Sequence, residues 1–94
     1  MTQTFDPDWT IHPGAHWAEA IEESGRVQRE IAQEMGVSEK HLSQICNGNA
    51  LPSAEATVAF CTVMDLPVRM FWTICCNYKL AIAMGKKDLT AEYL

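Results

Sequence analysis

The sequence predicts an all-α fold in which five helices share one core. Apolar residues recur at helical spacing, and capping residues and glycines separate the helical stretches from one another. The sequence lacks convincing runs of alternating apolar and polar residues, so no strand is predicted. The chain has 94 residues with 48% apolar content, which suits a single domain. Because a chain this short buries little of its own surface, its size also favours a dimer.

Capping residues define the predicted helices. Gly25 and Gly36 suit left-handed helix ends, and Ser38 and Ser53 are good N-caps for the helices that follow them. Pro67 suits the first turn of the last helix. The five predicted helices cover residues 13 or 14 to 24, 27–35, 39–47, 53–64 and 67 to about 85.

The third predicted helix has a narrow apolar stripe and a broad polar surface. Leu42 and Ile45 are its only large apolar residues, so it buries little. The polar residues on its surface are Glu39, Lys40, His41, Ser43, Gln44 and Asn47. With the second helix and the Gly36 turn, this arrangement predicts a helix-turn-helix that presents residues 38–47 to a DNA major groove.

The fifth predicted helix is apolar on nearly every face, unlike the single stripe expected of a surface helix. Either the other four helices enclose it, or it forms an interface with a second subunit or a partner. The interface candidates are Met70, Phe71, Trp72, Ile74 and Tyr78. We divide the chain into an N-terminal arm (residues 1–11), a helix-turn-helix domain with a C-terminal helix (residues 12–85) and a C-terminal tail (residues 86–94). The sequence leaves open whether the fifth helix or the arm forms the dimer.

The net charge of −5 opposes nucleic-acid binding, because affinity for DNA comes largely from the neutralisation of phosphates. Residues 26–49 are neutral rather than basic, since Arg26, Arg29 and Lys40 are balanced by Glu30, Glu34 and Glu39. We therefore expect a monomer to bind DNA weakly and with a shallow dependence on salt.

The sequence does not favour a metal site, an enzyme or a cofactor. The four cysteines form no CxxC pair, and Cys61, Cys75 and Cys76 are expected to be small buried apolar residues in a reducing compartment. The histidines are scattered along the chain and do not accompany a nucleophile. The polar, acidic start does not resemble a signal peptide, and no uncharged apolar stretch approaches the roughly 18 residues of a membrane span. A cytoplasmic protein is expected.

Residues 28–48 resemble the helix-turn-helix of the Xre/Cro-type, lambda-repressor-like family. The residues that match the family pattern are Gln28, Ile31, Ala32, Gly36, Val37, Ser38, Leu42, Ser43, Ile45 and Gly48. Flanking motifs resemble the HigA-type antitoxin branch: Asp8-Trp9 and His12-Pro13-Gly14 before the first helix, and Phe71-Trp72 and Asn77-Tyr78 in the fifth. The resemblance covers residues 8–83.

The resemblance implies DNA contacts for named residues. Gln28 is expected to bind a phosphate, and Glu39, Lys40 and Gln44 are expected to face base edges. The other DNA-contacting candidates are Ser38, His41, Ser43, Asn47 and Asn49. The chain also departs from the family. Arg26-Val27 replaces a leucine followed by a serine or threonine cap, and Asn49 replaces a basic residue, so both differences lower the expected affinity.

Three functions are compatible with these features. The first is a dimeric transcriptional repressor that binds an inverted repeat, in the form of a HigA-like antitoxin that neutralises a toxin and represses its own operon. The second is a phage or prophage immunity repressor, or a Cro-like repressor, without a toxin. The third is a protein-interaction module that has lost DNA binding.

Overall fold

The computed structural model describes residues 7–93, which form six helices and two short strands. In chain order the elements are β1 (Trp9–Thr10), α1 (Pro13–Ser24), α2 (Gln28–Met35), α3 (Glu39–Cys46), α4 (Ala54–Met64), α5 (Val68–Ala83), β2 (Lys87–Asp88) and α6 (Thr90–Tyr93). The mainly helical prediction is confirmed. None of the helices in the described residues has the length and apolar character needed to span a membrane.

The helix ends follow the capping residues. Gly25 and Gly36 end α1 and α2 with φ angles of 69° and 78°, in the left-handed region that glycine adopts without strain. The hydroxyl of Ser38 accepts the backbone N–H of His41, and the hydroxyl of Ser53 accepts that of Ala56, both at 3.0 Å. The predicted N-caps of α3 and α4 are therefore confirmed.

The core lies where α1, α2, α3, α4 and α5 meet. Trp17 of α1 stacks on Phe60 of α4, with ring centroids 4.1 Å apart and an interplanar angle of 5°. Ile31, Leu42 and Ile45 are fully buried and connect α2 and α3 to this aromatic pair. The narrow apolar stripe predicted for α3 is thus its buried side.

The prediction that the chain lacks strands is wrong. β1 and β2 pair in parallel, with Trp9 opposite Lys87 and Thr10 opposite Asp88. Each strand is two residues long, which is too short for an alternating pattern to be visible in the sequence. The pairing brings the predicted arm and tail into contact, while residues 1–6 of that arm lie outside the described residues.

The tail also contributes α6, so the described chain has one helix more than the five predicted. With four residues, α6 is shorter than any helix that apolar periodicity can identify. The division at residues 11 and 85 stays a prediction.

The other helices only partly cover α5. Phe71, Cys75 and Ala81 are buried, whereas Met70, Leu80 and Met84 are 51%, 60% and 59% exposed. The alternative of an enclosed fifth helix is therefore wrong. The prediction for Cys76 is also wrong, because its side chain is exposed beside the buried Cys75. Composition alone does not distinguish these neighbours, which point to different sides of the helix.

Candidate nucleic-acid interface

A tight turn joins α2 to α3. Gly36 donates its backbone N–H to the Gln33 carbonyl at 3.1 Å, and Val37 donates to the Ala32 carbonyl at 3.0 Å. These bonds satisfy the last carbonyl groups of α2 in a Schellman-type ending. Leu42 and Ile45, both fully buried, then fix α3 with its polar side outward. The result is the helix-turn-helix that the sequence predicts.

The outer face of α3 and the loop after it expose most of the predicted DNA-contacting residues. The exposed candidates are Ser38, Glu39, Lys40, His41, Gln44, Asn47 and Asn49, and the half-buried candidates are Gln28 and Ser43. Gln28 is the first residue of α2, where helix N–H groups are unpaired. The hydroxyl of Ser43 accepts the Asn47 side-chain amide at 3.3 Å. Seven of the nine candidates are thus exposed to solvent.

One ion pair connects the residue before α2 with the last turn of that helix. The Arg26 guanidinium forms an ion pair with Glu34 and donates to the Val63 carbonyl at 3.5 Å. Arg26, which precedes α2, therefore contacts both the C-terminal part of α2 and α4. Val27 is the N-cap residue of α2, and its side chain makes no capping hydrogen bond within the described chain. The predicted loss of the usual cap is confirmed.

Close contact between α1 and α3 fixes the end of α3. A Cβ atom on Gly14 would lie 1.7 Å from the carbonyl oxygen of Ile45, so a side chain at this position would collide with backbone. Glycine is required here for space rather than for an unusual φ angle. Pro13 and Gly14 were predicted as the start of the first helix and as part of a family motif, but this steric role depends on contact with α3 and was not predicted.

The structural role of His12 was also not predicted, although this residue belongs to the His12-Pro13-Gly14 motif. It is 3% exposed and serves as the N-cap of α1, where its Nδ1 accepts the Gly14 N–H at 2.8 Å. The ring also meets Tyr78 edge-on, with ring centroids 5.0 Å apart. Burial lowers the pKa of His12, and the Asp88 carboxylate and the Ala50 backbone oppose this shift. Its place directly before Pro13-Gly14 was the available signal, because that is an N-cap position.

The interface candidates on α5 do not share one surface. Phe71 belongs to the core and lies 6.2 Å from Phe60 between ring centroids. Trp72, Ile74 and Tyr78 are half-buried, and Met70 is exposed. Lys79 lies over the Trp72 ring, 5.0 Å from its centroid.

The exposed side of α5 carries a stripe spaced by three and four residues. We call Met70, Thr73, Asn77, Leu80 and Met84 the α5 stripe, since all five are exposed. Its C-terminal half borders a groove of about 430 Å³ shared with β1, where Trp9 is 44% exposed. Leu80, Met84 and Trp9 are apolar surface residues that were not among the interface candidates.

Comparison with known proteins agrees with this geometry. A family model described as a helix-turn-helix domain matches residues 18–70, more than half of the chain. The match begins within α1, includes all of α2, the turn, α3 and α4, and ends within α5. No curated protein and no solved structure matches the chain.

Proposed function

Because the chain belongs to the helix-turn-helix domain family, we propose that it is a sequence-specific DNA-binding transcriptional regulator that acts as a repressor. The observation that carries this proposal is the outward polar face of α3. Glu39, Lys40 and Gln44 are all exposed on it, opposite the buried stripe of Leu42 and Ile45. A helix of this kind fits a DNA major groove, whose base edges present distinct donors and acceptors.

Each exposed side chain on this face has a matching base edge. Lys40 pairs with guanine O6 and N7, Gln44 with adenine N6 and N7, and Glu39 accepts from the cytosine N4 amine. Gln28 and Asn49 bind phosphates at either side of the groove, and Ser38, His41, Ser43 and Asn47 complete the contacts. Base contacts of this kind set sequence preference, and phosphate contacts set orientation.

A homodimer compensates for weak binding by each copy. Residues 26–49 are neutral and Arg26 is paired with Glu34, so one copy neutralises few phosphates. The α5 stripe is the surface we assign to dimerisation. None of its five residues is charged, and Asn77 lies midway between Met70 and Met84, which suits a two-fold axis. Two copies would then read an inverted repeat with half-sites about 34–36 Å apart.

Within this class we favour a HigA-like antitoxin that represses its own operon and binds a cognate toxin. Its support is the resemblance carried by His12-Pro13-Gly14, Phe71-Trp72 and Asn77-Tyr78. The alternative is a phage or prophage immunity repressor, or a Cro-like repressor, that has no toxin. A toxin-sized reading frame beside the gene distinguishes the first role from the second.

A protein-interaction module that has lost DNA binding is the second candidate function. The net charge of −5, the pairing of Arg26 with Glu34 and the uncapped start of α2 favour it. Such a module would keep the fold but show no preference for any DNA sequence.

Selection of bound fragments from genomic DNA, followed by titration at two salt concentrations, tests the main proposal. Gln44→Ala is expected to weaken binding to the selected site by roughly 1–3 kcal/mol and to relax the preference at one base position. Gln33→Ala is the matched control, because Gln33 is also an exposed glutamine but lies on α2 rather than on α3. It is expected to bind like the wild type.

The outcomes separate the candidates. If Gln44→Ala lost the same affinity on all DNA sequences, Gln44 would contact only the DNA backbone. Binding without sequence preference at low salt, by a folded wild-type protein, would overturn the regulator and favour the interaction module.

A further inference from the structure

His12 lies beneath the loop that follows α3. We call residues 47–50 the recognition loop. Its Gly48 has a φ angle of 80°, and a Cβ placed there would lie 3.8 Å from the His12 ring and 3.5 Å from the Thr90 methyl group. The loop closes on α3 through the Gln44 carbonyl, which accepts the N–H groups of Asn49 at 2.8 Å and Ala50 at 3.2 Å. Gly48 of the recognition loop therefore lies next to the His12 ring and the Thr90 methyl group.

A chain of hydrogen bonds connects His12 to the C-terminal segment and to α5. The backbone N–H of His12 donates to the Thr90 hydroxyl at 2.8 Å, across 78 positions of sequence. The Thr90 hydroxyl donates to Asp88, which also accepts the Thr90 backbone N–H at 2.9 Å. The Tyr78 hydroxyl donates to the other Asp88 oxygen at 2.7 Å. Three separate parts of the chain thus meet under the recognition loop.

The hydrogen bonds of Thr90 fix the orientation of its hydroxyl group. The Thr90 hydroxyl accepts from one partner and donates to the next, which uses its single proton. His12 and Thr90 are 3% and 8% exposed, so water does not readily replace these partners. Movement of residues 87–93 would leave the buried His12 N–H unpaired beside the loop.

We propose that residues 87–93 position the recognition loop for its DNA phosphates through Asp88, Thr90 and His12, with Tyr78 anchoring Asp88 to α5. These four are positioning residues, and none of them is a DNA contact. The proposal rests on the DNA-binding function above, because Asn49 of the loop is one of its proposed phosphate contacts. It gives the C-terminal segment a role in binding strength, although that segment lies outside the residues matched by the helix-turn-helix model.

Two conservative variants test this role. Tyr78→Phe removes only the hydroxyl on Asp88, and Thr90→Val replaces the hydroxyl that connects Asp88 to His12. The control is Tyr93→Phe, which removes an exposed bond from the same C-terminal segment to Glu19 at 2.7 Å. Amide hydrogen exchange of the free protein and DNA affinity are measured for each variant.

Loss of one hydrogen bond in the chain is expected to speed exchange of the Asn49 and Ala50 amides roughly three- to tenfold. The Ile31 amide in α2 should be unchanged. Affinity for the selected DNA site should fall by a similar roughly three- to tenfold factor. Tyr93→Phe should resemble the wild type in both measurements.

A double-mutant cycle separates positioning from general stability. If Thr90 acts through the loop, Thr90→Val should cost less affinity in an Asn49→Ala background than in the wild type. Full additivity of the two losses of affinity would overturn the proposal. It would also be overturned if the Asn49 and Ala50 amides of Tyr78→Phe and Thr90→Val exchanged at the wild-type rate, or if the Ile31 amide were accelerated equally. If Thr90→Val does not fold, Tyr78→Phe decides in its place, through a cycle with Asn49→Ala. If the wild type binds no DNA, the proposed function fails, whereas the exchange data still decide whether the segment orders the loop.

Discussion

At the residue scale, the His12 ring must be neutral to cap α1. Its Nδ1 accepts the Gly14 N–H at 2.8 Å, which requires a ring nitrogen that carries no proton. A protonated imidazole has no acceptor nitrogen and would lose the cap of α1. Burial accordingly lowers the pKa of His12 from its ordinary value of 6.5, although Asp88 opposes the shift. The neutral ring is part of the folded state.

We expect the protein to lose stability as the pH falls below about 6.5. In the unfolded chain His12 takes up a proton in this range, whereas the folded chain resists it because its pKa is lower. The unfolded state therefore binds more protons, and acid favours it. Urea unfolding at about pH 7.5 and about pH 5.5 measures the effect.

Two histidine variants serve as controls for this pH dependence. His12→Asn keeps an N-cap acceptor without a titrating ring and should flatten the slope, while the exposed His41→Gln should leave it unchanged. The groups that face His12, Tyr78 and Asp88, keep the same charge between about pH 5.5 and about pH 7.5. Burial and the bond to Asp88 raise the pKa of Tyr78 to about 12. Desolvation alone would raise the pKa of Asp88, but the hydrogen bonds from Thr90 and Tyr78 have the larger effect. The pKa of Asp88 is therefore lowered from its ordinary value of 3.8. If the stability of His12→Asn fell with pH as steeply as that of the wild type, His12 would not be the group responsible.

At the element scale, α2 and α3 begin differently. Ser38 caps α3 through its hydroxyl. The N-cap residue of α2 is Val27, which has extended backbone angles of −80° and 129° but a side chain without a capping oxygen. We expect Val27→Ser to stabilise the protein by about 1 kcal/mol, because serine supplies the missing acceptor. Val27 is 50% exposed, so little packing is lost.

Chemical denaturation compares this variant with the opposite change in α3. Ser38→Ala should destabilise the protein by a similar amount, about 1 kcal/mol, since it removes a cap that is present. Destabilisation by Val27→Ser would mean that the Val27 methyl groups contribute more through packing than a cap contributes.

The difference between local and distant interactions explains what the sequence could predict. The ends of α1 to α4 depend on neighbouring residues such as Gly25, Ser38 and Ser53, so capping rules located them within one residue. β1, β2 and the bond from His12 to Thr90 depend on residues almost a whole chain apart. Such contacts arise from tertiary packing, which periodicity in a single sequence does not encode.

The candidate site divides in the same way. The polar face of α3 follows from helical spacing around Leu42 and Ile45, and the structure exposes most of the residues predicted there. On α5 the apolar residues surround the helix, so spacing could not tell which side packs on α4. Phe71 was therefore assigned to a surface although it lies in the core.

At the scale of the whole molecule, charge is unevenly distributed. Ten of the twelve acidic residues and three of the seven basic residues precede residue 66, so α5 and the C-terminal segment carry four basic and two acidic residues. The helix-turn-helix therefore belongs to the acidic part of the chain. Long-range attraction to DNA is weak for such a monomer, so the proposed regulator depends on binding through two copies for its affinity.

The proposed dimer can be tested by placing a charge in the α5 stripe. Leu80→Glu is expected to weaken self-association by about 2–4 kcal/mol, or roughly 30- to 700-fold in Kd, because a carboxylate would be buried against apolar groups. Leu80 is 60% exposed in the single chain, so the fold should survive. Sedimentation equilibrium measures association, and circular dichroism checks the fold.

Val58→Glu is the matched control, because Val58 is a 50% exposed apolar residue on α4 and is not part of the stripe. It should dimerise like the wild type. DNA binding gives a second readout, since Leu80→Glu should lose affinity for the inverted repeat yet bind an isolated half-site as the wild type does. If Leu80→Glu remains dimeric, the stripe is not the interface. If the wild type is monomeric at concentrations that saturate the inverted repeat, cooperation between two copies must come from DNA alone.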